Sequence, residues 1–365
     1  PPAAAMSCNA PRCTTTELSG GTFADAGMYQ LPSSAGCQHA VPTVPEISSI
    51  MRGNWLLLCG ASNIFVHAIA YANLIVPGSA AGNVGGCCGN KFADFVYDVS
   101  GSSPSLEYEK ADGSTWMLKW PWEDCAYDGR CGYSKKVGAH TANRLRVTWY
   151  NKKTWPDCSE FLEASASAGD GWGSAPTIWM AQAGEWYQYG GAASKYKSEL
   201  SALLKANAQL CQSATRHCFV MGMDCGQMPG ASRCNDGNLQ IQRDARSLVG
   251  SYAASTYRLL DVEHLVTAAP MEMPGRHVTP FIAIWSLIPA INALPGAADV
   301  LGSRVSGCAS AAAFEDKCRA YAGGKSTGCG NDFMCFAKRP CAYTVTGSRF
   351  FGVRAPAPPP PPAAP

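Results

Sequence analysis

The sequence predicts an α/β protein of three layers, helices on both faces of a mostly parallel sheet, stapled by disulfides. Two observations predict it. Short apolar runs of strand length alternate with helix-length amphipathic segments from Trp55 to Leu294, the pattern of a parallel sheet covered on both faces. The chain also carries 18 cysteines in 365 residues, an even number at a density that marks oxidised, extracellular proteins.

Each element follows in order. Cys8 to Pro45 reads as loop. Trp55 to Cys59 (Trp-Leu-Leu-Leu-Cys) is a buried strand, and a helix follows from about Asn63 to Leu74. Arg144–Trp149, Thr177–Ala181, His217–Met221 and Tyr257–Asp261 are further strands, each apolar or β-branched over four to six residues. Ala193–Leu210 is a helix with Leu200, Leu203, Leu204 and Leu210 on one face, and Leu239–Thr256 and Pro280–Leu294 complete the series.

Four regions follow: a Pro/Ala-rich arm over residues 1–20, the α/β domain over 21–300, a Cys-rich appendage over 301–345, and a polyproline tail over 355–365. The appendage is expected because five cysteines fall between Gly302 and Cys341, where little is apolar. Ala355–Pro365 reads APAPPPPPAAP. Proline fixes φ and donates no hydrogen bond, so this tract favours polyproline II.

Composition excludes several functions. No C-x-x-C pair occurs, and the closest spacings, Cys87-Cys88, Cys8 to Cys13 and Cys125 to Cys131, do not suit zinc. Disulfides are therefore expected and neither a metal nor a cofactor is, with the connectivity left open. Net charge is +2, only 15% of residues are charged, and no basic run stands out, which argues against nucleic acid. Trp55–Val76 is broken by polar residues and Val278–Leu294 is short and holds two prolines, so neither is expected to span a membrane. No asparagine lies in N-x-S/T, so any glycan is O-linked, on Ser, Thr or modified proline. The Pro1-Pro2 start without Met is what a processed secretory precursor would leave.

In doubly wound sheets function gathers at the carboxyl ends of strands. Three segments fall there: Cys59-Gly60-Ala61-Ser62-Asn63, with Ser62 also placed to cap the first helix; Gln182-Ala183-Gly184-Glu185-Trp186; and Pro274-Gly275-Arg276-His277 before the last helix. In this order they resemble the SGNH hydrolases, closest to the branch of plant and algal wall O-acetyl esterases and acetyltransferases related to the trichome-birefringence-like and PC-esterase families. Gly21-Thr22-Phe23 and Tyr29 to Cys37 resemble that branch's N-terminal Cys motif, and the resemblance spans roughly residues 20–295.

The resemblance implies Ser62 as nucleophile, His277 as general base, and Gln182 with Gly184 in the oxyanion region. Three positions depart from the pattern. Ala61 stands where the family has Asp, Gln182 replaces Asn, and Pro274 occupies the place of the carboxylate three residues before His277. A base histidine without that carboxylate loses on the order of 10⁴ in turnover; Glu272 is the nearby substitute.

The expectation is a catalytically degenerate SGNH-like domain serving as an extracellular structural glycoprotein, self-assembling through proline-rich ends. The alternative is an active carbohydrate O-acyl esterase or transferase using Ser62 and His277. Asp261-Val262-Glu263-His264 also spells D-x-x-H, but it ends a strand, so Asp261 is read as structural. His67, His39, His140 and His217 show no ligand spacing and are read as packed, surface or structural residues. Trp149 and Trp179 lie inside strands and belong to the core. Trp116, Trp120 and Trp122 lie in loop and suit a polysaccharide or an interface. Pro356, Pro358, Pro359, Pro360, Pro361 and Pro362 are the expected modification and assembly positions.

Overall fold

A computed structural model describes residues 10–23, 29–76, 92–101, 103–112, 137–167, 172, 175–189, 191–223, 227–228, 231–232, 236–268 and 280–302. The Cys-rich appendage, Trp116, Trp120, Trp122 and His277 lie outside the described residues. So does the polyproline tail, and with it every expected modification and assembly position: Pro356, Pro358, Pro359, Pro360, Pro361 and Pro362.

Seven strands form the main sheet: β1 (Trp55–Gly60), β2 (Phe92–Asp98), β3 (Ser105–Asp112), β4 (Arg144–Asn151), β5 (Ile178–Gln182), β6 (His217–Met221) and β7 (Tyr257–Leu260). Their spatial order is β7-β6-β5-β1-β4-β2-β3. The five strands β4, β1, β5, β6 and β7 are parallel, while β2 runs antiparallel to both β4 and β3. Counted among themselves in chain order, the parallel strands lie 2-1-3-4-5, one of the two common doubly wound arrangements. The mostly parallel sheet agrees with the expectation.

The central strands β1 and β5 are buried on both faces because they are apolar at nearly every position. Along β1, Leu56 and Leu58 enter one core and Trp55, Leu57 and Cys59 the other, as the two-residue pleat requires. The first core lies under α1 (Val44–Met51), α2 (Ser62–Ile75), α7 (Val262–Ala268), α8 (Pro280–Asn292) and α9 (Gly296–Leu301). The second lies under α3 (Trp155–Ser167), α5 (Ala193–Cys211) and α6 (Asp236–Gly250), with α4 (Gly184–Tyr189) against α5 and α6. Three layers result.

The observed strands and helices start and stop within about two residues of most expectations. One helix differs: α6 ends at Gly250, six residues before the expected Thr256. The chain turns there through Ser251 N–H to Leu248 O and Tyr252 N–H to Val249 O, bonds that close turns and carry no helix onward. Leu210 is only half-buried, whereas Leu200, Leu203 and Leu204 are core. The antiparallel pair β2–β3 and the helices α1, α3, α4, α7 and α9 have no counterpart in the expected series. A capping box starts α1, Thr43 Oγ1 accepting from Glu46 N–H and Glu46 Oε2 from Thr43 N–H, with Pro45 in its first turn. No helix among the described residues is long and apolar enough to cross a membrane.

All six cysteines among the described residues are paired: Cys13–Cys37, Cys59–Cys158 and Cys211–Cys218. The segment 10–20, placed in the N-terminal arm, lies against the domain. Arg12 donates to Gly302 O (3.2 Å) and Asn292 O (2.6 Å), Thr16 donates to Leu259 O, and Leu18 is buried. Asn292 in turn closes a two-way amide pairing with the backbone of Ala40.

One polar knot sits inside the second core. Arg146 and Asp94 are both fully buried and paired through Nη2 to Oδ2 at 2.8 Å, with Nε to Oδ1 at 3.0 Å. Thr148 Oγ1 donates to Asp94 and accepts from the Trp55 indole, whose ring lies 4.1 Å from the Arg146 guanidinium. Each buried charge thus has partners enough to offset its lost hydration.

Candidate functional site

The strand order puts the topological switch point at β1, with β4 on one side and β5 on the other. Ligands of such sheets bind just beyond the carboxyl ends of the strands there. Pairing registers set Gly60 opposite both Asn151 and Gln182, so the three strand ends are level. Gly60 must lack a side chain, since a Cβ there would stand 2.5 Å from Gln182 O and 2.5 Å from Ile64 Cγ1. Its carbonyl accepts from the Trp149 indole at 3.0 Å and from Lys152 N–H. The turn from β1 into α2 is therefore fixed from three directions.

Ser62 is the first residue of α2, and the cap position before it is Ala61, which offers no side-chain hydrogen bond. The helix thus begins without the serine cap expected at this turn. It directs its N-terminal amide dipoles toward the switch point, the end that favours negative charge.

Gln182, the last residue of β5, is 4% exposed. Its Nε2 donates to Gly222 O at 2.6 Å, tying the end of β5 to the turn after β6. Because a carbonyl oxygen only accepts, the amide is held with its nitrogen toward Gly222 and at least one N–H consumed. Gly184 starts α4 against Met223, whose side chain would meet a Cβ at 3.1 Å. Two glycines and an amide at this edge serve contact between backbones.

The D-x-x-H sequence ends β7 and enters α7. Asp261 Oδ2 accepts from Arg246 Nε at 2.6 Å, and Arg246 also pairs with Glu263. His264 Nε2 lies 3.5 Å from Asp261 Oδ2 and 3.2 Å from Ser19 Oγ. A relay needs the carboxylate on one ring nitrogen and the nucleophile on the other. Here one nitrogen faces both, so this cluster joins residues 17–19 to the sheet edge and is not arranged as a triad.

The remaining described histidines are held by backbone or neighbouring side chains. His67 is fully buried in α2, Nδ1 on Asn63 O at 2.9 Å, its ring edge-on to Tyr71 and its Nε2 without a partner. Burial pushes its pKa down to about 4. His217 falls to about 4 as well, by burial and then by the Arg258 charge. His39 meets Glu17 O, and His140 meets Gly53 O beside Trp172. No group of three His, Cys, Asp or Glu among the described residues is arranged to hold a metal.

Of the site residues expected from sequence, Ser62, Gln182 and Gly184 gather at the switch point, while His277 and Glu272 lie outside the described residues. The aromatics expected for binding, Trp116, Trp120 and Trp122, also lie outside them. Trp149 and Trp179 are core, at 1% and 0% exposure. Trp186, which closes the Gln182–Trp186 segment but was given no role of its own, lies on α4. It is 38% exposed, the one large hydrophobic side chain among the described residues to be so. The Lys153 ammonium sits 4.1 Å over its ring. The signal lay in its place, four residues past the strand end at Gln182. No family model, no curated protein and no solved structure matches the chain.

Proposed function

We propose that this chain is an extracellular structural glycoprotein subunit, built on an SGNH-like α/β domain whose ester-cleaving site has decayed. The observation that carries the reading is the use of the switch point for packing. Ala61 supplies no carboxylate, and the Gln182 amide is committed to the Gly222 carbonyl. One donor of the side chain that the resemblance assigns to oxyanion stabilisation is used here to join β5 to the turn after β6. Three disulfides suit an oxidising compartment. The low charge and the Ala355–Pro365 tract suit a subunit coated with O-linked sugar and joined to its neighbours through proline-rich ends, with Pro356 and Pro358 to Pro362 as the modified positions.

A second reading has one observation in its favour: Ser62 opens a 14-residue helix at the switch point, where an oxyanion would be stabilised. One experiment separates the two. Activated-ester hydrolysis by the full chain and by Ser62→Ala is expected to be equal and at background, with no fluorophosphonate labelling. A serine-dependent rate, or one-to-one labelling of Ser62, refutes the structural reading and supports an esterase that uses His277.

A further inference from the structure

Seven tryptophans lie among the described residues, and six of them, Trp55, Trp149, Trp155, Trp172, Trp179 and Trp285, are at most 2% exposed. Trp186 is the exception at 38%. Its helix, α4, leaves the carboxyl end of β5 beside the switch point. Lys153, two residues past β4, places its ammonium 4.1 Å over the ring, a cation–π contact that steadies the indole. The indole N–H makes no hydrogen bond among the described residues. Trp186 therefore offers the part of its ring that Lys153 leaves uncovered and one unspent donor, and a tryptophan side chain has no acceptor.

The same chain holds the complement. The tract Pro356 to Pro362 has a carbonyl at every residue, no backbone N–H at its prolines and no internal hydrogen bonds in polyproline II. Such segments dock on exposed aromatic rings, proline rings against the aromatic face and carbonyls toward a nearby donor. Being already stiff, the tract loses little entropy on docking.

We propose that Trp186 is the receptor for the Pro356–Pro362 tract of a neighbouring copy, making a heterologous, self-propagating contact. The inference rests on the assembly reading above and names its contact. Trp186, and not the Trp116 to Trp122 stretch, is then the anchor.

The test uses two full-domain variants, one with the receptor removed and one with the tail removed. Trp186→Ala and a chain lacking 355–365 are each expected to sediment as monomers when alone. Mixed, they should form a one-to-one complex, because one contributes the tract and the other the ring. The peptide APAPPPPPAAP should bind the tail-deleted chain at least tenfold more tightly than its Trp186→Ala counterpart, with Trp186→Phe between them. It should also shift the Trp186 indole N–H resonance.

If tail deletion abolishes assembly and Trp186→Ala does not, this inference fails and the assembly reading stands. If the two variants are monomeric but do not combine, the tract does not bind Trp186 between copies and the inference also fails. Should the tail-deleted chain assemble as the intact one does, the assembly reading itself is refuted.

Discussion

Removing the three described disulfides one at a time should destabilise the domain in the order of the loops they close. The bridges Cys59–Cys158, Cys13–Cys37 and Cys211–Cys218 span sequence separations of 99, 24 and 7 residues. Loop-closure entropy then gives about 4.7, about 3.5 and about 2.4 kcal/mol at 25 °C. Five of the six sulfurs belong to residues at most 1% exposed, so double Cys→Ala replacement leaves a similar cavity at each site and the differences come mainly from the unfolded chain. Cys87, Cys88, Cys125 and Cys131 lie inside the longest loop. Bridges among them would shorten the free chain, but halving it lowers the figure by only about 0.6 kcal/mol. The assay is urea unfolding without reductant, followed by intrinsic fluorescence, with free energies compared at constant slope. The Cys59–Cys158 variant should lose roughly twice as much as the Cys211–Cys218 variant. If the seven-residue bridge costs as much as the 99-residue one, loop entropy is not what these disulfides contribute, and native packing around the sulfurs must be.

Two further outcomes are expected. Asp94→Ala strands the buried Arg146 guanidinium and should cost ~3–5 kcal/mol, whereas Asp94→Leu with Arg146→Met should restore most of it, as denaturant midpoints will show. Acid should weaken the fold through His67, whose folded pKa of about 4 lies below its usual 6.5. Between those values the unfolded chain binds the proton and the folded one does not, so the contribution is complete above pH 6.5. It is lost as pH falls toward 4, by about 3 kcal/mol in all. His67→Gln should reduce that slope in stability measured from pH 7 to 4, leaving the share due to His217, and an unchanged slope would assign the acid sensitivity elsewhere.

Most of the parallel sheet was legible because its strands are buried on both faces and read as unbroken apolar runs, Trp55 to Cys59 above all. The edge pair was not, because Ser105–Asp112 carries four charges in eight residues and resembles a solvated loop until it meets β2. Helix α1 had a readable start in Thr43-Val44-Pro45-Glu46, hidden by the proline that also marks loops. At the candidate site, the positions of Ser62 and Gln182 could be found because tight turns tie them to strand ends. The engagement of Gln182 could not, since Gly222 is 40 residues away and nothing local announces it. Trp186 was located at the end of its segment, but its exposure was not legible, as six other tryptophans among the described residues are core.

The pairing of Arg12 with Gly302 and Asn292 has a mechanical consequence. Arg12 and Gly302, near the two ends of the described residues, are joined directly, so tension applied at these two points does not run along the sheet. It loads the Arg12 bonds, the Asn292–Ala40 amide pair and the Cys13–Cys37 staple, while the seven strands stand beside the line of force. Were the domain pulled at Arg12 and Gly302, a short latch would peel before any strand sheared.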